Sequence, residues 1–347
     1  MRLRRSDPAR PGIARVRRGK GWTYRWADGG VVTDPEIKRR IAELVIPPAW
    51  QDVWISPHHN GHIQAIGTDQ AGRRQYLYHE RWQEKRHELK FERMLEFGAG
   101  LPPAREIVAE HLAQDGLTRE RVLAAAFRML DVGYFRIGGE TYAETNGSFG
   151  LATLRRDHVK QQGDLLVFSY SAKSGLDHEE HIANPPLAQV VEKLRRRRSG
   201  PETLLAYQQH RQWHRISSAD INRYIKDVMD LPVSAKDFRT WHGTGIAAVA
   251  LAEQQTGHDP DTSWTPTSRK RAVAAAIKAT SARLGNTPAV ARRSYVNPKV
   301  VELFEKDRTV AEAVGQARAA LPDVFEDEIA LLAATPVVEN AVIELLR

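Results

Sequence analysis

Gly285-Asn286-Thr287-Pro288-Ala289-Val290-Ala291-Arg292-Arg293-Ser294-Tyr295-Val296-Asn297-Pro298 is the stretch from which the rest of the chain is best read. Gly285 ends a helical pattern that occupies residues 268–284. Thr287 and Pro288 suit the N-cap and first position of the next helix. A helix begun there aims Asn286 and Tyr295, nine residues apart, into one pocket. Upstream stand Arg239 in Lys236-Asp237-Phe238-Arg239-Thr240-Trp241, Lys173 in Phe168-Ser169-Tyr170-Ser171-Ala172-Lys173-Ser174-Gly175, and Arg136 in Phe135-Arg136-Ile137-Gly138.

A tyrosine, two arginines, a lysine and a polar amide are the parts needed to break a phosphodiester without metal or water. A tyrosine alone is a poor nucleophile, because with a pKa of about 10 only about 0.1% is ionised at neutral pH. Guanidinium groups nearby favour the phenolate and screen the phosphate's charge from the incoming oxygen. The leaving sugar hydroxyl is far more basic than a phenol, and Lys173 is the natural group to protonate it. The product, a phosphotyrosine ester, keeps the energy of the broken bond, so resealing needs no ATP. Taken singly, each residue also has an ordinary reading: a helix-surface tyrosine, a helix-end cation, a turn lysine.

Composition sets the frame. The chain has 347 residues, enough for two domains and a buried core, with 41% hydrophobic and 27% charged residues. The net charge of +8 suits a polyanionic partner, or else a merely solvated cationic face. With no cysteine, disulfides, thiol catalysis and thiolate zinc sites are excluded. No apolar run reaches the roughly 18 residues of a membrane span, and the basic start lacks a secretory signal's apolar stretch, so a cytoplasmic location is expected.

Along the chain, residues 1–20 read as a mobile basic arm that touches phosphate, or as no more than a solvated terminus. Residues 21–88 form a small sheet-rich domain. Its strands are Val53-Trp54-Ile55, His62-Ile63-Gln64-Ala65-Ile66 and Arg74-Gln75-Tyr76-Leu77-Tyr78, with a short helix over 34–44. Residues 89–347 read as mostly helical, on apolar repeats such as Val122, Ala126 and Leu130, or Ile221, Ile225 and Val228. One interruption, His158 to Ile182, alternates like paired strands and puts Lys173 on a hairpin tip. Arg195-Arg196-Arg197-Arg198 reads as an exposed loop. The class is therefore α+β: an N-terminal β-rich domain and a larger helical domain with a β-hairpin insertion.

The order, context and spacing of these residues resemble the type IB DNA topoisomerases in their compact poxvirus-type and bacterial form, over about residues 20–310. In that family an Arg after an aromatic step and before Ile/Phe-Gly matches Arg136, and a hairpin-tip Lys matches Lys173. A Lys-Asp-Leu/Phe-Arg-Thr block matches Lys236 to Thr240, and a Tyr nine residues after a Gly-His-Thr-Pro step's histidine matches Tyr295. Where the viral pattern has that histidine, this chain has Asn286, whose amide still donates a hydrogen bond but carries no charge.

The resemblance implies a monomeric clamp on duplex DNA, with no nucleotide cofactor and no metal. One strand is cut through Tyr295 to leave a 3′-phosphotyrosyl link, supercoils of either sign relax, and the strand reseals. It also implies DNA contacts for Gly72-Arg73-Arg74-Gln75-Tyr76-Leu77-Tyr78, with Arg74, Gln75, Tyr76 and Tyr78 foremost, and for Tyr142 and Lys236. Ordinary strand packing is the alternative for the two β tyrosines. A tyrosine recombinase uses the same residue types, but the Gly72–Tyr78 block and the lack of a helical domain in front speak against it. A non-catalytic basic DNA-binding protein would bind without forming a covalent adduct.

Overall fold

The computed structural model describes residues 1–140, 143, 147–172, 175, 177–259, 262–320 and 328–347. They divide into two compact units, Met1–Phe91 and Glu92–Arg347.

In the first unit β1 (Ile13–Arg18), β2 (Gly21–Arg25), β3 (Gln51–Ile55), β4 (Ile63–Thr68) and β5 (Arg74–Tyr78) form one antiparallel sheet in the order β2-β1-β3-β4-β5. Helix α1 (Pro35–Glu43) starts where Asp34 accepts from the Glu36 amide at 2.8 Å. Ile41 of that helix joins Ile13, Val32, Val53, Ile55 and Ala65 in the core.

The expected arm of residues 1–20 is corrected here. Ile13–Arg18 is a sheet strand, and the chain before it is tied down too: the Arg4 amide donates to Asn60 O at 2.8 Å and Ser6 Oγ to Ile63 O at 2.9 Å. The arginines suggested solvation, yet Arg15 spends its guanidinium on the carbonyls of Ile46, Pro47 and Trp50, and Ile13 is wholly buried.

Helix α2 (Glu80–Ala113) begins in the first unit and ends in the second. The second unit continues with α3 (Arg119–Gly133), then β6 (Val159–Gln162), β7 (Leu165–Ser171) and β8 (Asp177–Ala183) as an antiparallel sheet in that order. The paired-strand pattern over His158–Ile182 thus holds a third strand, β6, which a turn at Gly163 (φ +61°) folds back on β7. Lys173 lies outside the described residues. Helix α4 (Pro185–Arg196) and the hairpin β9 (Ala206–Gln209) and β10 (Gln212–Arg215) follow.

The arginine run is not an exposed loop. Arg195 and Arg196 belong to α4, and Arg197 is buried, its guanidinium donating to the carbonyls of Leu194, Leu204, Pro201 and Thr203. Burial, and then the neighbouring charge of Arg156, push its pKa down to about 10. Four backbone carbonyls converge there on one guanidinium, whose fork of donors can serve them all.

The remaining helices are α5 (Ser218–Met229), α6 (Ala235–Thr256), α7 (Pro266–Arg283), α8 (Pro288–Ser294), α9 (Pro298–Phe304), α10 (Ala311–Ala320), α11 (Glu328–Ala333) and α12 (Pro336–Leu346). Helix α6 is central. It is buried nearly all round from Phe238 to Ala252, because Gly243, Gly245 and four alanines between 247 and 252 let α7, α9, α10, α11 and α12 pack onto it. The α+β class read from the sequence is the observed one.

Candidate active site

Helix α6 presents Arg239 from its first turns, after Ser234, whose backbone amide and hydroxyl both bond the Asp237 carboxylate. Arg239 is 4% exposed. Its two terminal nitrogens donate to backbone, one to Tyr134 O and the other to Leu284 O at 2.6 Å. That leaves the guanidinium plane against Tyr295, 5.0 Å from the ring centroid. Tyr295 ends α8, whose N-cap is Thr287 and whose first residue is Pro288. Burial pushes the Tyr295 phenol up, but Arg239 beside it, then Arg136 and Lys236, outweigh burial and hold it below the usual tyrosine value. Lys236 is exposed on α6, three positions before Arg239 and so on the same face.

Arg136 comes from the segment after α3, where Tyr134 turns the chain in the left-handed region (φ 52°). A close approach fixes that segment. Gly138 (φ +76°) lies so near Gly150 that a Cβ at position 150 would stand 2.6 Å from Gly138 Cα. The amides of Leu151 and Ala152 then donate to Arg136 O and Ile137 O, both at 2.8 Å. The Arg136 side chain donates to Gly285 O and to Asn286 Oδ1, the latter at 2.7 Å. With Oδ1 so occupied, Asn286 Nδ2 is left buried with no hydrogen-bond partner among the described residues. A donor in that state is suited to an anionic oxygen delivered by a ligand.

The structure thus brings Tyr295, Arg239, Arg136, Asn286 and Lys236 together, while Lys173 and Tyr142 lie outside the described residues. In the first unit Tyr76 and Tyr78 of β5 share a face and stack, ring centroids 5.9 Å apart, with Tyr76 44% exposed. Arg74 is exposed on the same alternation. Gln75 is on the other face with Leu77, and its Nε2 donates to Asp69 Oδ2 at 2.9 Å.

Sequence reasoning missed four contributors. Tyr134 supplies the carbonyl that holds Arg239, and its ring lies under Arg283, 4.5 Å from the guanidinium carbon. Arg283 in turn grips the buried Glu180 through two bonds of 2.6 and 2.7 Å. His178 stands beside them, and burial followed by the charges of Arg136, Arg239 and Arg283 push its pKa down to about 4, so it is a neutral imidazole at pH 7. In the sequence, Asp177-His178-Glu179-Glu180 shows only strand alternation.

Comparison with known proteins gives the family of the chain. The family model of the eukaryotic DNA topoisomerase I catalytic core matches residues 79–321, and that of the bacterial DNA topoisomerase IB N-terminal domain matches residues 21–69. A DNA topoisomerase 1B of Acanthamoeba polyphaga mimivirus is 29% identical over 301 residues, 85% of this chain and 88% of the relative. A DNA topoisomerase 1B of Vaccinia virus is 24% identical over 256 residues, 72% of this chain and 75% of the relative. A DNA topoisomerase 1 of rabbit fibroma virus is 20% identical over 255 residues. The family so matched is one of isomerases that act on DNA. The chain belongs to the type IB DNA topoisomerases.

Proposed function

We propose that Tyr295 is the nucleophile, attacking a DNA phosphodiester to leave a 3′-phosphotyrosyl link through which supercoils of either sign relax before the strand reseals. The observation that carries this is the placement of the Tyr295 phenol against Arg239, with the Arg136–Asn286 pair at the same pocket. Arg136 and Arg239 bind the nonbridging oxygens, where negative charge builds in the transition state. Lys173 protonates the departing 5′ oxygen. The sheet residues Arg74, Gln75, Tyr76 and Tyr78, with Tyr142 and Lys236, hold the duplex. In this reading the unit Met1–Phe91 serves as the DNA clamp and Glu92–Arg347 as the catalytic domain. The protein acts as a monomer on the nucleoid in the cytoplasm, with neither nucleotide nor metal, because the phosphotyrosine ester itself stores the energy for resealing. No helix among the described residues is long and apolar enough to cross a membrane.

Supercoiled plasmid incubated with the protein in EDTA without ATP tests the reading. A ladder of relaxed topoisomers is expected; plasmid that stays supercoiled until metal or nucleotide is added overturns it.

Two residue roles have their own tests. Lys173→Ala should slow single-turnover cleavage of normal DNA by about 10²–10⁴, the usual weight of acid catalysis. A substrate with a 5′-bridging sulfur, which leaves without a proton, should restore most of that loss, and no selective rescue would reduce Lys173 to a binding residue. Asn286→Ala removes the Nδ2 donor and Arg136's 2.7 Å acceptor. Loss of one donor at a site of developing charge costs roughly 10²–10³ in rate. Asn286→His should keep much of the activity, with a rate that varies with pH near the histidine pKa. An alanine variant as fast as the parent would make Asn286 a structural residue only.

A further inference from the structure

We infer that Thr244 is a positioning residue for strand cleavage: its buried hydroxyl, with the bare Cα of Gly243 beside it, seats Tyr295 on the helix that carries Arg239. The inference rests on Tyr295 being the nucleophile. Thr244 follows Arg239 by five positions on α6 and is 0% exposed. Its Oγ accepts from the Asn297 amide at 3.1 Å and lies 3.1 Å from Tyr295 O. A hydroxyl has one proton to give. Three acceptors compete for it, the helix's own Thr240 O at 2.8 Å, Tyr295 O at 3.1 Å and Met94 Sδ at 3.2 Å, whereas the bond accepted from the Asn297 amide is unshared. The hydroxyl therefore brackets the residue that must attack, through the carbonyl of Tyr295 and the amide two residues on.

Gly243 completes the seat. A Cβ there would stand 3.1 Å from Tyr295 Cβ, 3.3 Å from Tyr295 O and 3.0 Å from Leu284 Cδ1, so glycine lets the tyrosine backbone lie directly on α6. Leu284 also supplies a carbonyl to Arg239. One helix thus fixes the guanidinium from one residue and the nucleophile's backbone from the next turn. The Tyr295 amide itself bonds within α8, to Ala291 O at 2.9 Å.

The hydroxyl touches no reacting atom, so its removal should misplace the phenol without changing the leaving group or the DNA-binding surface. Thr244→Val keeps the shape and loses every bond of the hydroxyl, those to Tyr295 and Asn297 included; Thr244→Ser keeps the hydroxyl. Single-turnover cleavage by Thr244→Val should fall about 10–100-fold, the scale of a misplacement near 1 Å. DNA affinity should stay within about twofold, since the loss is in orientation rather than binding. Thr244→Ser should recover most of the rate. A 5′-bridging sulfur substrate should not restore Thr244→Val, because leaving-group protonation is intact. Gly243→Ala, which pushes on the same Tyr295 backbone, should slow cleavage in the same way and likewise resist sulfur rescue; it carries the test if Thr244→Val does not fold. A valine variant as fast as wild type, a folded serine variant as slow as valine, or sulfur rescue of valine would each overturn the inference. Cleavage by Tyr295→Phe would instead overturn the nucleophile assignment, which these comparisons leave separate.

Discussion

Tyr295→Phe should bind DNA as tightly as the parent and form no covalent adduct at all. The substitution removes one oxygen and leaves the ring that faces Arg239, 5.0 Å from its centroid, so the pocket keeps its packing and its cation–π contact. What disappears is the phenol that Arg239, Arg136 and Lys236 hold below the usual tyrosine value against the opposing effect of burial. With no other nucleophile aligned, cleavage should drop below detection, a loss far beyond the roughly 10²–10³ expected for any single stabilising donor. Denaturing gels of the protein with end-labelled duplex, beside a filter-binding titration, read both quantities. A labelled adduct that survives denaturation in the phenylalanine variant would sink the assignment.

The largest stability effect is expected at Arg105. Its guanidinium donates to both oxygens of Asp131 at 2.9 Å and to both oxygens of Glu339 at 2.6 and 2.9 Å. The two carboxylate side chains are 1% and 3% exposed. Asp131 also meets Arg128 and His242, and Glu339 accepts from Trp241 Nε1 at 3.2 Å, so the cluster ties α2 and α3 to α6 and α12. Arg105→Met keeps length and apolar contact but leaves two buried carboxylates short of a cation, which should cost about 3–5 kcal/mol. Urea unfolding checks it: the midpoint should drop with the slope unchanged. A shift worth less than about 1 kcal/mol would mean that solvent compensates the pair.

The same cluster has a pH signature. Burial works to raise the Asp131 carboxyl, yet Arg105 and His242 hold it far below its ordinary value. A carboxylate depressed in the folded state contributes fully above its unfolded pKa of about 4 and loses its contribution as pH falls below that. Stability from this group should therefore be flat from neutral pH down to about 5 and decline only in stronger acid.

Much of the site could be read from the chain because local signals and chemistry coincided. Gly285 and Thr287-Pro288 stop one helix and start another, and that alone sets Asn286 and Tyr295 at the two ends of α8. The alternation of β5 likewise placed Tyr76 with Tyr78. It could also have separated Gln75 from them, since period two puts Gln75 with Leu77. What escaped was decided by tertiary partners. Arg15 and Arg197 look like surface charge until the carbonyls they satisfy are known, and those belong to loops folded elsewhere. Arg105 and Glu339 are 234 residues apart, with no local pattern to join them. Tyr134 adopts a backbone conformation that its side chain disfavours, and nothing in Val132-Gly133-Tyr134-Phe135 announces it.

Arg239 is both cation and cross-brace. Its nitrogens join two carbonyls, Tyr134 and Leu284, that lie 105 and 45 residues away along the chain. An unpaired buried carbonyl is costly whether or not any DNA is ever cut. The selective histories of the two site residues should therefore diverge once catalysis is no longer required. A descendant of this fold that survives only as a DNA-binding relic can lose Tyr295 freely. It should keep an arginine at position 239, so a retained arginine in such a lineage records the needs of folding rather than a surviving enzyme.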